Sequence, residues 1–140
     1  MYKKEELTGL IIKFSNELSK CNIDISKELG SYEMQIKQFH YLALIEKNPN
    51  MTFSELSEIL NITKPSVTEI INKLTKLGCV YREQSSSDKR VFYIKLTEKG
   101  KKIVKLKEIS AGKFAEERLG SLTDEEVGNF MEILKKLLRE

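Results

Sequence analysis

The sequence has no tryptophan, one histidine, two cysteines and two prolines in 140 residues. A single His40 leaves no second imidazole for a metal site, and Cys21 and Cys79 stand apart without metal-ligand spacing. There is no Ser/His/Asp or Cys/His set at plausible spacing and no phosphate-binding glycine loop. Enzymatic chemistry therefore has no support, and neither a catalytic residue, a metal nor a cofactor is expected. No stretch approaches the roughly 18 apolar residues of a membrane-spanning helix. The opening Met1-Tyr2-Lys3-Lys4-Glu5-Glu6 sets two acids ahead of any apolar run, unlike a signal peptide. With so little cysteine, a disulfide framework is not expected either. The simplest expectation is a cytoplasmic, reducing compartment with no membrane partner.

What is present is the composition of a folded domain: 40% apolar and 32% charged residues, in a length that makes one domain (1–140) the default. Leu7, Ile11, Phe14, Leu18 and Cys21 recur at alternating spacings of four and three, which places them on one face of a first helix. Asn22, Asp24 and Gly30 read as a break. Ser31 is a suitable N-cap for a second helix running to about Lys47, with Ile36, Phe39, Leu42 and Ala43 on its buried side. Asn48-Pro49-Asn50 ends that helix. Thr52-Phe53-Ser54-Glu55 has the form of a capping box and opens a short helix bearing Phe53, Leu56, Ile59 and Leu60. After Asn61-Ile62, Thr63 caps a further helix with Pro65 harmless in its first turn, and Gly78 is placed to end it. Two helices joined by a tight turn make a helix-turn-helix.

The period then changes. Residues Cys79–Gln84 and Val91–Leu96 are rich in β-branched and aromatic side chains and flank the polar segment 85–90, which predicts a hairpin. Thr97 caps another helix, with Ile103, Leu106 and Phe114 apolar and Gly112 and Gly120 weakening it. Thr123 to Glu126 is a second capping box. It opens a last helix whose Val127, Phe130, Met131, Leu134, Leu137 and Leu138 form a wide apolar stripe. The fold class expected is mainly α with a small β-hairpin.

The formal charge of +3 is too small to say much as a total, but its position is informative. Residues 63–95 hold seven bases (Lys64, Lys73, Lys76, Arg82, Lys89, Arg90 and Lys95) against three acids, Glu69, Glu83 and Asp88. The excess of four lies there, and the rest of the chain is slightly acidic. Charge runs are commonly no more than solvated faces. Here, however, the outward residues of the second helix (Lys64, Ser66, Thr68, Glu69, Asn72 and Lys73) also supply short hydrogen-bonding groups suited to base edges in a major groove.

From Thr52 to Gly100 the sequence resembles the MarR/SlyA family of winged-helix transcription regulators. The resemblance rests on Leu56-Ser57-Glu58-Ile59-Leu60-Asn61-Ile62-Thr63-Lys64-Pro65-Ser66-Val67-Thr68, Ile71-Asn72-Lys73-Leu74 and Leu77-Gly78. It is completed by Asp88-Lys89-Arg90 followed by Leu96-Thr97-Glu98-Lys99-Gly100, which match the family's wing signature at each fixed position. The helices before and after extend the likeness over nearly the whole chain. It implies a winged helix-turn-helix at 32–100 that reads double-stranded DNA, with helical dimerisation regions at 1–21 and 101–140. Recognition helix 64–77 would enter the major groove and wing 84–91 the minor groove. The function implied is that of a homodimeric regulator, most often a repressor released by a small effector, acting at a pseudo-palindromic operator.

Carried over by position, Ser66, Thr68, Glu69 and Asn72 would face base edges or nearby phosphates, and Lys73 a phosphate, with Lys64 and Pro65 close to the backbone at the helix start. Arg90 corresponds to the family's minor-groove arginine, assisted by Lys89. Asp88 would orient Arg90 by charge-assisted hydrogen bonds. Glu69 departs from the basic or small residue common there: it can accept from a cytosine amino group or simply pair with Lys73. Family members often bind small aromatic or anionic effectors between the dimerisation helices and the winged helix. Phe14, Leu18, Phe39 and His40 are the candidates here, although they read equally well as core or surface. Cys79 reads as a small hydrophobe and Cys21 has little to activate it, so redox sensing is not favoured. The competing reading is a winged-helix module for protein contact or DNA packaging, without an effector.

Overall fold

The computed structural model describes the backbone of residues 1–28 and 36–139 and the side chains of residues 1–20 and 37–139. Its elements in order are α1 (Lys4–Glu28), α2 (Ile36–Lys47), β1 (Met51–Thr52), α3 (Phe53–Leu60), α4 (Lys64–Lys76), β2 (Val80–Gln84), β3 (Phe92–Leu96), α5 (Glu98–Leu119) and α6 (Asp124–Leu138). Three strands form an antiparallel sheet in the order β1-β3-β2. The mainly helical architecture with a hairpin is as expected, but the hairpin has a third partner. In β1, Met51 pairs with Ile94 and Thr52 with Tyr93. Two residues are too few to carry a period-two signal, so periodicity has no means of finding this strand.

Local chemistry fixes the boundaries. Thr52, Thr63, Thr97 and Thr123 each accept a hydrogen bond from the backbone N–H three residues on, capping α3, α4, α5 and α6. The box at Thr123 is complete, with Glu126 reaching back to the Thr123 N–H. At Thr52 only the threonine half is present among the described bonds. Asn61 ends α3 in the left-handed conformation (φ 52°), which Asn tolerates, and Gly78 at φ +73° turns the chain from α4 into β2.

Two expectations need correction. Helix α1 does not break at Asn22 but continues through Asp24 to Glu28. The residues from Leu10 to Glu28 include neither Gly nor Pro, and an interior Asn or Asp costs at most about 0.7 kcal/mol, too little to end a propagating helix. Helix α5, whose length the sequence leaves open, runs through Gly112 to Leu119, since one interior glycine costs only about 1 kcal/mol. Among the described side chains, the buried side of α2 is Phe39, Leu42 and Ile45, with Ala43 only half-buried; the Ile36 side chain lies outside the described residues. The expected cap at Ser31 and the boundary at 32 lie outside the described residues.

The core is built almost entirely from the middle of the chain. Phe39, Leu42, Ile45, Met51, Leu56, Val67, Ile71, Leu74, Val80, Ile94, Leu96, Ile103 and Val104 are buried together. Each such side chain contributes about 1.5–3 kcal/mol. By contrast, α6 buries none of its stripe: Leu137 is 73% and Leu138 67% exposed, and Met131, Ile133 and Leu134 are exposed too. Leu7, Leu10, Ile11 and Ile12 of α1 are likewise uncovered. The winged helix covers itself, whereas the flanking helices do not.

Candidate nucleic-acid interface

Burying Val67, Ile71 and Leu74 turns the opposite face of α4 outward. Lys64, Pro65, Glu69, Asn72 and Lys73 are exposed on it, and Ser66 and Thr68 half-buried. The two hydroxyls have local partners. Ser66 Oγ lies 2.9 Å from Thr63 Oγ1, and Thr68 Oγ1 donates to the Lys64 carbonyl at 3.1 Å. Glu69 and Lys73 approach to 4.0 Å, one helical turn apart and both in solvent, where such a pair contributes little.

The loop between β2 and β3 is closed from within. Ser85 is buried; its N–H donates to the Val91 carbonyl at 2.9 Å, and its Oγ accepts from the Asp88 N–H at 3.3 Å. Gln84 Nε2 donates to the Lys89 carbonyl at 2.8 Å, and the Val91 N–H to the Asp88 carbonyl at 3.0 Å. The loop therefore projects Lys89 and Arg90 from a fixed base. Asp88 accepts from Arg90 three times: from the backbone N–H at 3.0 Å and Nε at 3.2 Å through Oδ1, and from Nη2 at 3.3 Å through Oδ2. This fork leaves the Arg90 side chain 91% exposed but orients its guanidinium. The Arg90 side chain foremost, and then its backbone N–H, hold the Asp88 carboxyl below the usual aspartate range.

Between α4 and the wing lies a cleft of about 430 Å³ lined by Thr52, Phe53, Ser54, Lys64, Thr68, Arg82, Arg90, Val91 and Phe92. Lys64, Arg82 and Arg90 meet there with no carboxylate among the lining residues. The arrangement suits an anionic backbone bordered by hydrogen-bonding groups. Glu69, Asn72, Lys73 and Lys89 do not line this cleft. Arg82, whose residue type marks it only as part of the basic excess, is held from both sides. Its Nη2 donates to Asn72 Oδ1 at 2.9 Å, and its guanidinium carbon lies 4.9 Å from the centre of the Phe53 ring.

The residues considered for an effector seat do not converge in one subunit. Phe39 is core, and His40 on the same helix is exposed. Phe14 and Leu18 are 43% and 41% exposed; Phe14 meets Phe114 edge-to-face, with ring centres 5.6 Å apart. The cavity between α1 and α5, about 260 Å³, is lined instead by charged groups including Glu17, Lys20, Lys113 and Arg118. Lys20 foremost, with Arg118, lowers the Glu17 pKa from the ordinary carboxylate value. Cys79 is buried, which pushes its thiol pKa up, while nearby Lys99 pulls the other way. The Cys21 side chain lies outside the described residues. Among the described residues no cluster of His, Cys, Asp or Glu has the form of a metal site, and no helix is long and apolar enough to cross a membrane.

Comparison with known proteins agrees with this geometry. The family model for the MarR family matches residues 34–92. The HTH-type transcriptional regulator FarR of Neisseria gonorrhoeae is 32% identical over 104 residues, spanning 74% of this chain and 68% of its own length. The crystal structure of Streptococcus pneumoniae FabT in complex with DNA superposes with a TM-score of 0.79 at 26% identity, covering 98% of this chain and 96% of that one. The heme sensor protein PefR from Streptococcus agalactiae, in complex with heme, gives 0.65 at 26% identity, covering 98% and 92%.

Proposed function

Because this chain belongs to the MarR family of DNA-binding transcriptional regulators, we propose that α4 enters the major groove while the 85–91 loop lays Arg90 in the minor groove. The cleft lined by Lys64, Arg82 and Arg90 without a carboxylate carries the reading. A phosphate strand passing between α4 and the wing meets cations from both sides there, and releases counterions as it does so. Ser66, Thr68, Glu69 and Asn72 on the outer face of α4 are the groups within reach of base edges, with Lys64, Pro65, Lys73 and Lys89 at the backbone. Asp88 acts through Arg90.

The reading unit is a homodimer formed by α1, α5 and α6. The uncovered apolar faces of α1 and α6 support this, since they exceed what a self-sufficient monomer leaves in water. Residues 32–100 then form the reading part and residues 1–21 and 101–140 the joining part of one cytoplasmic protein. Regulation is by repression relieved by a small aromatic or anionic effector. PefR, of related fold, holds heme. A seat that uses Phe14 and Leu18 needs a second subunit to close it, because both face solvent in one subunit.

The test is selection of bound DNA from a random pool with the purified protein. A pseudo-palindrome with half-sites about one helical turn apart is the expected product. Binding without any consensus, unchanged by Ser66→Ala and Thr68→Ala, would refute it in favour of a packaging role.

A further inference from the structure

Arg82 projects from β2 toward the helices. Its register partner in β3 is the buried Ile94, and Val80, two residues earlier, is buried opposite Leu96 on the same sheet face. The side chain therefore passes over the Phe53 ring at the start of α3 and ends on Asn72 of α4. Arginine has only donors, so the group of Asn72 that faces it has to be the carbonyl oxygen and not the amide nitrogen. This settles an orientation that a carboxamide does not otherwise reveal. With one lone pair of Oδ1 engaged by Arg82, the Nδ2 amino group is the donor that Asn72 presents to an outside partner.

We infer that Arg82 is a positioning residue for DNA reading: pinned on Phe53, it turns the Asn72 carboxamide so that its amino group faces the major groove as a donor. The inference rests on the placement of α4 proposed above. The donor so presented fits the acceptors of the groove, guanine O6 and N7, adenine N7 or thymine O4. Arg82 thus acts on specificity without touching a base. Two of its neighbours in the cleft, Lys64 and Arg90, lack this link to Asn72 and act on the DNA backbone or minor groove directly.

The experiment compares wild type, Arg82→Ala, Arg82→Lys, Asn72→Ala and the double variant Arg82→Ala/Asn72→Ala. Each is measured by competition binding on the selected operator and on every single base-pair change in one half-site. Asn72→Ala and Arg82→Ala should flatten the preference at the same base pair by about fivefold or more, with preferences elsewhere kept. The double variant should flatten it no further. Arg82→Lys keeps the charge but has no planar fork to span ring and carboxamide, so it should behave as the alanine variant does. Phe53→Leu, which removes the ring under the guanidinium, should shift the same base pair and serves if Arg82→Ala folds poorly. An Arg82→Ala protein with intact base preference, uniformly weaker binding and a salt slope lower by about one would mean a phosphate contact only, and would overturn the inference. A wild-type pool returned without a consensus overturns it together with the placement of α4. A clear consensus that neither Asn72→Ala nor Arg82→Ala alters at any base pair overturns it alone.

Discussion

Gly100 offers a sharp test of how α4 is held. A Cβ built on it would lie 2.2 Å from the Cys79 carbonyl oxygen and 3.1 Å from the carbonyl carbon, both backbone atoms. Comfortable contacts fall at about 3.5–4.0 Å, so the methyl of Gly100→Ala is more than about 1 Å too close and one segment has to move. The Cys79 carbonyl is not free to do so. It accepts from the Thr97 N–H at 3.0 Å, beside Thr97 Oγ1 donating to the Gly78 carbonyl at 2.5 Å and Lys99 Nζ donating to the Leu77 carbonyl at 2.8 Å. These bonds fasten the start of α5 to the end of α4. Overpacking costs about 1–3 kcal/mol and each lost hydrogen bond about 0.5–1.5, against about 1 kcal/mol returned by the better helix propensity of alanine. The net loss is about 2 kcal/mol, or roughly 6 °C in Tm for a chain of this length.

Gly112→Ala is the internal control. It is the same substitution in the same helix, but no heavy atom lies within 4 Å of its Cβ. Alanine there should stabilise by about 0.5–1 kcal/mol. Urea and thermal unfolding of both variants at one fixed protein concentration, so that any self-association is held constant, give the two signs directly. If Gly100→Ala is as stable as wild type, or moves in the same direction as Gly112→Ala, the close approach of α5 to Cys79 is refuted.

Arg90→Ala should weaken operator binding and reduce the slope of log affinity against log salt by about one; an unchanged slope across a salt series refutes the minor-groove placement. Asp88 has a folded pKa below its unfolded value. Its pairing with Arg90 is thus fully present above the ordinary aspartate pKa and lost as pH falls through the lowered value. An NMR titration should put the Asp88 midpoint below that of a model aspartate, and Arg90→Ala should return it to the ordinary range. Cys79, buried with its thiol pKa raised, should resist iodoacetamide in the native protein and react on unfolding. Rapid native alkylation of Cys79 would contradict its burial.

How much of this was readable from residue order depends on the range of the physics involved. Caps at Thr52, Thr63, Thr97 and Thr123 are local chemistry within four residues, and all four stand where the sequence puts them. The outward face of α4 follows from the spacing of Val67, Ile71 and Leu74. The Asp88–Arg90 contact spans two residues and is equally legible. Arg82 is different. Strand parity places it on the same face as Val80, a usable signal, but its engagement of Asn72 and Phe53 depends on how β2 docks on two helices. Ser85 gave no signal at all: a serine within a polar turn reads as solvent-exposed, and its burial arises only once Val91 and Asp88 fold back over it. Asn22 and Asp24 resemble loop residues locally, yet their small helix penalty does not stop α1 from running to Glu28. Phe14, Leu18, Phe39 and His40 fall on different surfaces because helical spacing orders residues within one helix and not between two.

Helix α5 carries the structural consequence of this division. Its first turns belong to the core through Gly100, Ile103 and Val104, and its later turns pack beside α1, where Phe14 meets Phe114 and Glu17 pairs with Arg118. One continuous helix thus joins a core that covers itself to apolar faces that do not. The groups that present α4 and the wing (the Thr63 cap, the Ser85-closed loop, the Asp88 fork and the bonds from Thr97 and Lys99) all lie inside a single subunit. In the homodimer proposed above, these groups form without help from a second subunit. The second subunit would then supply distance and symmetry between two such sets, passed along the continuous helix α5. A change that separates the subunits should accordingly abolish the paired half-site requirement while leaving each winged helix folded, because Ile94, Leu56 and Val67 remain buried without it.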